Sequence, residues 1–433
     1  MMNRGAGRRL ALLTSIALLA TGFGAGAARA YVVHGANGRL YGILPARQAV
    51  RAHTAAVPNV RYWGGTVMLS TNLRLIFWGP PGAFSPSYQN AITQWAQDLA
   101  ADSGKTTNEF SVASLYYRTR PRRQITTNVS FGGAVPDRRP YPASGCLNPD
   151  NEGGVCLSDG QLQAEVRRVI SAQHWPKDKP GDPRNQYLIF TPYGVDACQD
   201  KLDTVCTFSQ DSTCAYHSSF GVGGKAVVYS VLPNIPDCGS GQAPAGVLGN
   251  LNAGATVDSG IHEVLEAATD PGTRGGNDYG WTDNPGNEIG DLCVPNAGAV
   301  YGAPLGGSLR IGDAFNQLIG GHGYYTQEIW AIKTRWSAAP GCVQRVGPSP
   351  VFSAPVATLN TAVSYDATQS SDLTGPITTY AWSYGDGSPL DTAHGARGVH
   401  VYTLPGVYQV SLTVWDASGL ANTTTQTQTV VVG

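Results

Sequence analysis

The sequence predicts an α/β or α+β large domain, stabilised by disulfides, followed by a small β-sandwich. Three observations predict it. All eight cysteines fall between Cys146 and Cys342. Val346-Gly347-Pro348-Ser349-Pro350 is a stiff Pro/Gly stretch of the kind that links domains. Across it the patterning changes from mixed helix and strand signals to strand signals alone. The 433 residues are 42% hydrophobic and only 14% charged, enough for packed cores and contrary to a coiled coil or a charged disordered chain.

The first thirty residues read as a secretory signal. Arg4 to Arg9 form a basic region, Leu10 to Ala20 an apolar run, and Ala28-Arg29-Ala30 a small-x-small cleavage site. That run is too short, and too soon broken by Gly22, Gly24 and Gly26, for a membrane anchor. The mature chain is therefore expected to be secreted and extracellular, with no integral membrane span. Without the leader, 25 basic residues face 30 acidic ones, a net charge of −5. No basic patch stands out, so a nucleic-acid partner is set aside. No long amphipathic stripe argues for an obligate oligomer, which leaves a monomer as the default.

An even cysteine count in an exported chain reads as disulfides, since no two cysteines have the C-x-x-C spacing of a thiolate zinc site. Pairing does not follow from sequence. The simplest arrangement joins near neighbours: Cys146 with Cys156, Cys198 with Cys206, Cys214 with Cys238, and Cys293 with Cys342.

Residues 31–60 show little pattern and read as a lead-in or propeptide, and the large domain as residues 61–345. Asn72 to Trp78 is strand-like by its β-branched and aromatic content, and Gly79-Pro80-Pro81 stops it. Ser85-Pro86 reads as an N-cap with proline at the first helical position, and Tyr88, Ile92, Trp95 and Leu99 follow at helical spacing. A second helix follows Ser158-Asp159, with Leu162, Val166, Val169 and Ile170 on one face. Tyr187–Phe190 and Ala226–Leu232 are short apolar runs expected as buried strands.

Beyond the linker (346–350), residues 351–433 read as five strands: 357–365, 377–384, 399–402, 407–414 and 425–432. Gly385-Asp386-Gly387-Ser388 and Leu404-Pro405-Gly406 supply turns. Within this unit, Tyr380-Ala381-Trp382-Ser383-Tyr384-Gly385-Asp386-Gly387, His400-Val401-Tyr402, Pro405-Gly406-Val407-Tyr408 and Leu412-Thr413-Val414-Trp415-Asp416 resemble a PKD (polycystic-kidney-disease-type) domain, an Ig-like β-sandwich. Tyr384 stands where the family usually has Phe. The resemblance implies a non-catalytic spacer or surface-binding unit on an exported protein. Trp382 and Trp415 are expected in its core, and His394 and His400 as turn and strand residues.

The densest ionisable cluster runs from Asp258 to Asp291. Val257, Ile261, Val264, Leu265 and Ala268 make an apolar helical stripe, with Asp258, His262, Glu266 and Thr269 as the adjacent row. Pro271 ends the helix near Asp270. His262 and Glu266 are one turn apart, so two ligands from one helix can reach a single metal ion. Glu263 occupies the general-base position of an H-E-x-x-H zinc hydrolase, with a carboxylate replacing the second histidine. The plain alternative is a His–Glu hydrogen bond on a partly solvated face.

The Gly/Asp/Asn-rich loop that follows holds Asp278, Asp283 and Glu288 and closes on Glu288-Ile289-Gly290-Asp291-Leu292-Cys293. A third oxygen ligand is expected from Asp291 or Glu288. Zinc is the leading metal, with calcium on this acidic loop as the competitor, although the spacing is not that of an EF-hand. His217, between Cys214 and Cys238, is expected in a loop they fix, as a fourth ligand or an oxyanion stabiliser. His322 sits in a glycine turn. No G-x-S-x-G elbow or phosphate loop is present.

The large domain also resembles the EXORDIUM (phosphate-induced protein) family of plants and its bacterial relatives. The matching segments are the strand from Leu73 to Gly79 with its following helix, Cys214-Ala215-Tyr216-His217-Ser218, His262 to Ala267 with Thr269-Asp270-Pro271, Glu288 to Cys293, and Tyr324-Tyr325-Thr326-Gln327-Glu328-Ile329-Trp330 with Cys342 beyond. They cover roughly residues 65–345. The resemblance implies an extracellular, cell-wall-associated protein of unclear activity or, through the H-E-x-x-E helix, a zincin-like hydrolase. The leading expectation is a secreted zinc peptidase acting on extracellular protein or cell-wall polymer. The alternative is a non-catalytic wall-binding protein with a structural metal or none.

Overall fold

Strand alternation sorts the apolar residues of the large domain onto two faces, and the sheet is the layer between them. In the computed structural model, which describes residues 33–34, 39–45, 58–106, 108–146, 154–199, 206–207, 213–236, 238, 250–284, 286–294, 317–332, 340–348, 350–370, 372, 376–416 and 421–431, seven strands build it. They are β1 (Val33–His34), β2 (Leu40–Pro45), β3 (Thr71–Trp78), β4 (Val129–Asp137), β5 (Asn185–Thr191), β6 (Thr213–Val222) and β7 (Lys225–Pro233). Their order is β1-β2-β6-β7-β5-β3-β4. The β7-β5-β3-β4 half is parallel, and the β1-β2-β6 half joins it antiparallel.

Three helices cover the sheet: α1 (Pro86–Ala101), α2 (Asp159–Ala172) and α3 (Leu251–Thr269). α1 and α3 share one face, where Trp95, Leu99, Ile261 and Leu265 pack on Leu73, Leu75 and Phe77 of β3. α2 lies on the other, where Leu162, Val166 and Ile170 meet Ile76, Trp78, Tyr41 and Tyr216. The expected helix starts are present: Ser85 Oγ accepts from Tyr88 N–H at 3.2 Å, and Gln161 Oε1 from Ser158 N–H at 2.9 Å. α3 stops at Thr269, before Asp270-Pro271.

Two stretches differ from the sequence reading. Residues 31–60 contain β2, whose Tyr41 and Leu44 are fully buried; Gly42 and Pro45 dilute its strand signal. Val346 of the Pro/Gly stretch is buried in the large domain's core, its N–H on Ser111 Oγ at 3.0 Å. The segment read from sequence as a secretory leader, residues 1–30, lies outside the described residues. The four disulfides are the near-neighbour pairs: Cys146–Cys156, Cys198–Cys206, Cys214–Cys238 and Cys293–Cys342.

In the C-terminal domain, β8 (Ala357–Thr358), β10 (Ile377–Ser383), β12 (Gly406–Asp416) and β13 (Ala421–Val431) form one sheet, and β9 (Ala362–Asp366) pairs with β11 (Arg397–Val401). The single strand expected over 357–365 is two, because Asn360 takes a left-handed φ of 57° and turns the chain. Trp382 is the centre of this core, packed on Phe352 and Tyr365. Trp415 is only half-buried, since alternation along β12 turns Val414 and Asp416 inward instead.

Candidate metal centre

β2, β6 and β7 form the floor on which α3 lies. On β6, Ala215 packs toward the α1/α3 face and Tyr216 toward α2, so His217 points at α3. The loop expected around His217 is therefore a strand. On α3, positions 262, 263 and 266 fall within one arc of about 100°, and that arc meets His217. The chain then returns through residues 286–294, which bring Glu288 and Asp291 to the same place.

All the site residues expected from sequence converge. His217 Nδ1 stands 2.9 Å from Glu263 Oε2 and 3.8 Å from Glu266 Oε2, and His217 Nε2 is 3.5 Å from Glu288 Oε1. His262 Nε2 is 3.0 Å from Glu266 Oε1 and 3.5 Å from Asp291 Oδ1. Two sets of three ligand atoms result, each with its atoms within 4.8 Å of one another: His262, Glu266, Asp291 and His217, Glu263, Glu266. Two atoms bound about 2.0–2.2 Å from one tetrahedral zinc stand roughly 3.3–3.6 Å apart, close to the His262–Asp291 separation. His322 is elsewhere, with Nδ1 2.7 Å from Asp98 Oδ2.

The cluster is wholly buried, and its polar atoms are left short. His262 Nε2, Glu263 Oε1, Glu266 Oε2, Asp291 Oδ1 and both oxygens of Glu288 have no hydrogen-bond partner. His262 Nε2 lies within bonding distance of Glu266 Oε1, yet the approach is too bent for a hydrogen bond. Five acidic side chains, counting Asp270, share this space with two imidazoles. Buried polar atoms without partners are costly, and a cation at the cluster would supply what the protein does not. The residues present fit a metal ion.

The electrostatics show the same strain. Burial by itself would lower His217, but Glu288 and Glu263 carry it well above the usual imidazole range. Burial likewise opposes His262, and Glu266 and Asp291 raise it well above that range. Burial pushes Asp291 and Asp270 up to about 7 and raises Glu263 and Glu288. Only Glu266 is held low: burial opposes it, but His262, His217 and the Asp291 N–H together outweigh burial.

Three residues that matter here carried no weight in the sequence. Gln327 Oε1 sits 3.2 Å from His262 Nδ1, while its Nε2 donates to Gly290 O at 3.0 Å. With its oxygen as the acceptor, Gln327 fixes the proton on His262 Nδ1 and turns the Nε2 lone pair inward. It lies in the Tyr324–Trp330 motif, but nothing local marks it as a support. At Gly290, a Cβ would fall 2.5 Å from His262 Nδ1, and the Gly290 N–H donates to Glu266 Oε1 at 3.1 Å. At Gly42 of β2, a Cβ would fall 2.0 Å from His217 Cε1.

The acids of the preceding loop are used locally. Asp278 accepts from Thr66 N–H at 3.0 Å and Arg274 N–H at 2.9 Å, and Asp283 accepts from Gly286 and Asn287 N–H at 3.0 and 2.8 Å. They fold the loop and stand outside both ligand sets. Trp281 pins it, with Nε1–H on Tyr117 O at 2.8 Å.

A groove of about 910 Å³ is lined in part by Tyr62, Trp63, Trp281, Trp330 and Arg274, and by none of the cluster's own side chains. Two contacts join groove and cluster: Gly280 N–H, beside Trp281, donates to Asp270 Oδ1 at 2.9 Å, and Trp330 N–H donates to Ile289 O at 2.9 Å.

Comparison with known proteins identifies the C-terminal domain. The family model for the PKD domain matches residues 346–432, so this part of the chain is a PKD domain. The chain is 39% identical over 61 residues to collagenase ColA of Clostridium perfringens (strain 13 / Type A), covering 14% of this chain and 5% of that protein. It is 38% identical over 71 residues to a microbial collagenase of Vibrio alginolyticus, covering 16% and 8%. Both matches lie over the PKD region, so the chain spans less than a tenth of the length of either relative. Among solved structures, the PKD1 domain of Vibrio anguillarum Epp is 36% identical, covering 20% of this chain and 96% of that one, with a TM-score of 0.18. The PKD1 domain from Vibrio cholerae metalloprotease PrtV gives 36%, 20%, 98% and 0.18. These four matches concern the PKD domain. Among the described residues no helix is long and apolar enough to cross a membrane.

Proposed function

We propose that the chain is a secreted metal-dependent hydrolase, a zinc peptidase, that carries a C-terminal PKD module. The observation that supports this reading most is the buried set His262, Glu266 and Asp291, with ligand atoms at metal-sharing distances and with His262 Nε2 and Asp291 Oδ1 lacking hydrogen-bond partners. Two imidazoles in the cluster favour zinc over calcium, which prefers oxygen throughout. A zinc ion held there would lower the pKa of its water towards 7. Glu263, with Oε2 on His217 and Oε1 unpartnered, is the group placed to take that proton. His217 in turn fixes the orientation of Glu263. The aromatic and basic groove is the surface that offers an extended substrate a seat.

A second reading draws support from the burial of the cluster: every candidate ligand is inaccessible to solvent. In it the metal is structural, and the protein is a non-catalytic extracellular or wall-binding module. The test is hydrolysis of a protein substrate by zinc-loaded protein beside Glu263→Gln. The enzyme reading expects turnover in the wild type, and its loss in the variant with metal still bound at His262. Zinc-loaded wild type that turns over no protein or wall polymer, yet still binds wall material after chelation, favours the second reading.

A further inference from the structure

We infer that the cluster is a two-metal centre, in which the Glu266 carboxylate bridges one ion held by His262 and Asp291 and a second held by His217 and Glu263. This deepens the metal reading above and rests on it. The two oxygens of Glu266 face different histidines: Oε1 lies 3.0 Å from His262 Nε2, and Oε2 lies 3.8 Å from His217 Nδ1. Each histidine brings a terminal carboxylate of its own, Asp291 Oδ1 at 3.5 Å and Glu263 Oε2 at 2.9 Å. Glu266 thus belongs to both three-ligand sets, and its Oε2 has no other partner. The N–H groups of Gly290 and Asp291, both 3.1 Å from Oε1, set the plane of this carboxylate.

The two histidines are also prepared alike. Gln327 Oε1 accepts at His262 Nδ1 (3.2 Å), and the Asp270 carbonyl accepts at His217 Nε2 (3.2 Å). In a neutral imidazole each acceptor favours the proton on the outer nitrogen and frees the inner one to ligate; without a metal, His217 Nδ1 is hydrogen-bonded to Glu263 Oε2 at 2.9 Å instead. Charge points the same way. With neutral imidazoles and all five buried acids ionised, one divalent ion leaves a charge of −3 and two leave −1. Carboxylate-bridged ions stand about 3.5–4 Å apart.

The experiment is metal stoichiometry on the full chain, stripped by chelator, reloaded with Zn²⁺ and read by elemental mass spectrometry. X-ray absorption supplies the zinc–zinc distance. The pair expects two zinc ions per chain in the wild type and one in each of His217→Ala and His262→Ala. Asp291→Asn and Glu263→Gln, which keep volume, serve where an alanine variant fails to fold, and each should weaken one ion only. One zinc in the wild type, kept by His217→Ala and lost by His262→Ala, overturns the pair and leaves the single-metal reading standing. Two zinc ions that both survive His217→Ala place the second ion elsewhere and also overturn it. No zinc in the wild type sinks both readings.

Discussion

The two domains bury polar groups in opposite ways. In the PKD core the tyrosine hydroxyls are satisfied by one another and by neighbours: Tyr365 Oη lies 2.9 Å from Tyr402 Oη and donates to Gln428 Oε1 at 3.1 Å, and Tyr384 donates to Asp391 Oδ2 at 2.6 Å. The large domain does the same at Asp159, which accepts from Tyr41 and Tyr216 at 2.9 and 3.0 Å. Around Glu266 it does the reverse, gathering acids and histidines among which His262 Nε2, Glu263 Oε1, Glu266 Oε2, Asp291 Oδ1 and both Glu288 oxygens bond to nothing. A satisfied buried network specifies a fold, whereas an unsatisfied one calls for a ligand. The contrast separates scaffold from site without any appeal to function.

Four experiments break or sharpen that contrast, and calorimetry with separate domain transitions reads them all. The largest effect is Trp382→Ala, which removes the centre of the PKD core and should cost that domain about 3–5 kcal/mol. The large-domain transition and the metal content should not move. Chelation should do the converse, lowering only the large domain, by about 4 kcal/mol if free metal had been 1,000-fold above Kd. Equal shifts of both transitions would show that the domains unfold as one unit.

Gly42→Ala should destabilise the large domain by about 1–3 kcal/mol through overpacking against His217. Metal bound through His217 should weaken with it, while the His262 side keeps its own. Unchanged affinity and stability would mean that β2 yields at Gly42 at no cost.

The smallest effect is the response to acid, which should differ in sign between the domains. In the metal-free large domain, Asp270 and Asp291 titrate near 7 because burial disfavours their charge, whereas in the unfolded chain they titrate near the ordinary value. The native state then binds protons that the unfolded chain releases, so stability rises as pH falls from about 7 towards 4. His217 and His262, raised by their carboxylates, act in the same direction: their contribution is complete below the ordinary imidazole range and is lost at higher pH. Glu266 alone opposes them. In the PKD domain, Asp386 is held down at about 2: slight burial pushes it up, and hydrogen bonds from Ser388 and His400 outweigh that. Its contribution is present above the ordinary carboxylate range and fades as pH falls towards 2. A metal-free large domain that weakens between pH 7 and 4 would overturn the burial account.

Much of the site was legible in the sequence. Helical spacing in His262-Glu263-x-x-Glu266 puts three side chains on one arc whatever the tertiary fold, and Pro271 fixes where the helix stops. Glu288 and Asp291 were legible as candidates because they close the acidic loop just before Cys293, which lies five residues beyond Glu288 and two beyond Asp291. Gln327, Gly42 and the strand nature of His217 were not. Gln327 acts on His262 across 65 residues of chain, and Gly42 meets His217 only because β2 pairs with β6 in the register that sets Gly42 opposite His217.

By itself, then, the sequence determined what short-range geometry controls: the helix caps, the buried strands and the turn-rich strands of the PKD domain. Only the tertiary structure decided that β2 enters the sheet beside β6, which face of β6 carries His217, and that the whole ionisable cluster is shut away from water. Those outcomes depend on pairing between segments far apart in the chain, where local preference is silent and the register of the sheet selects which side chains meet.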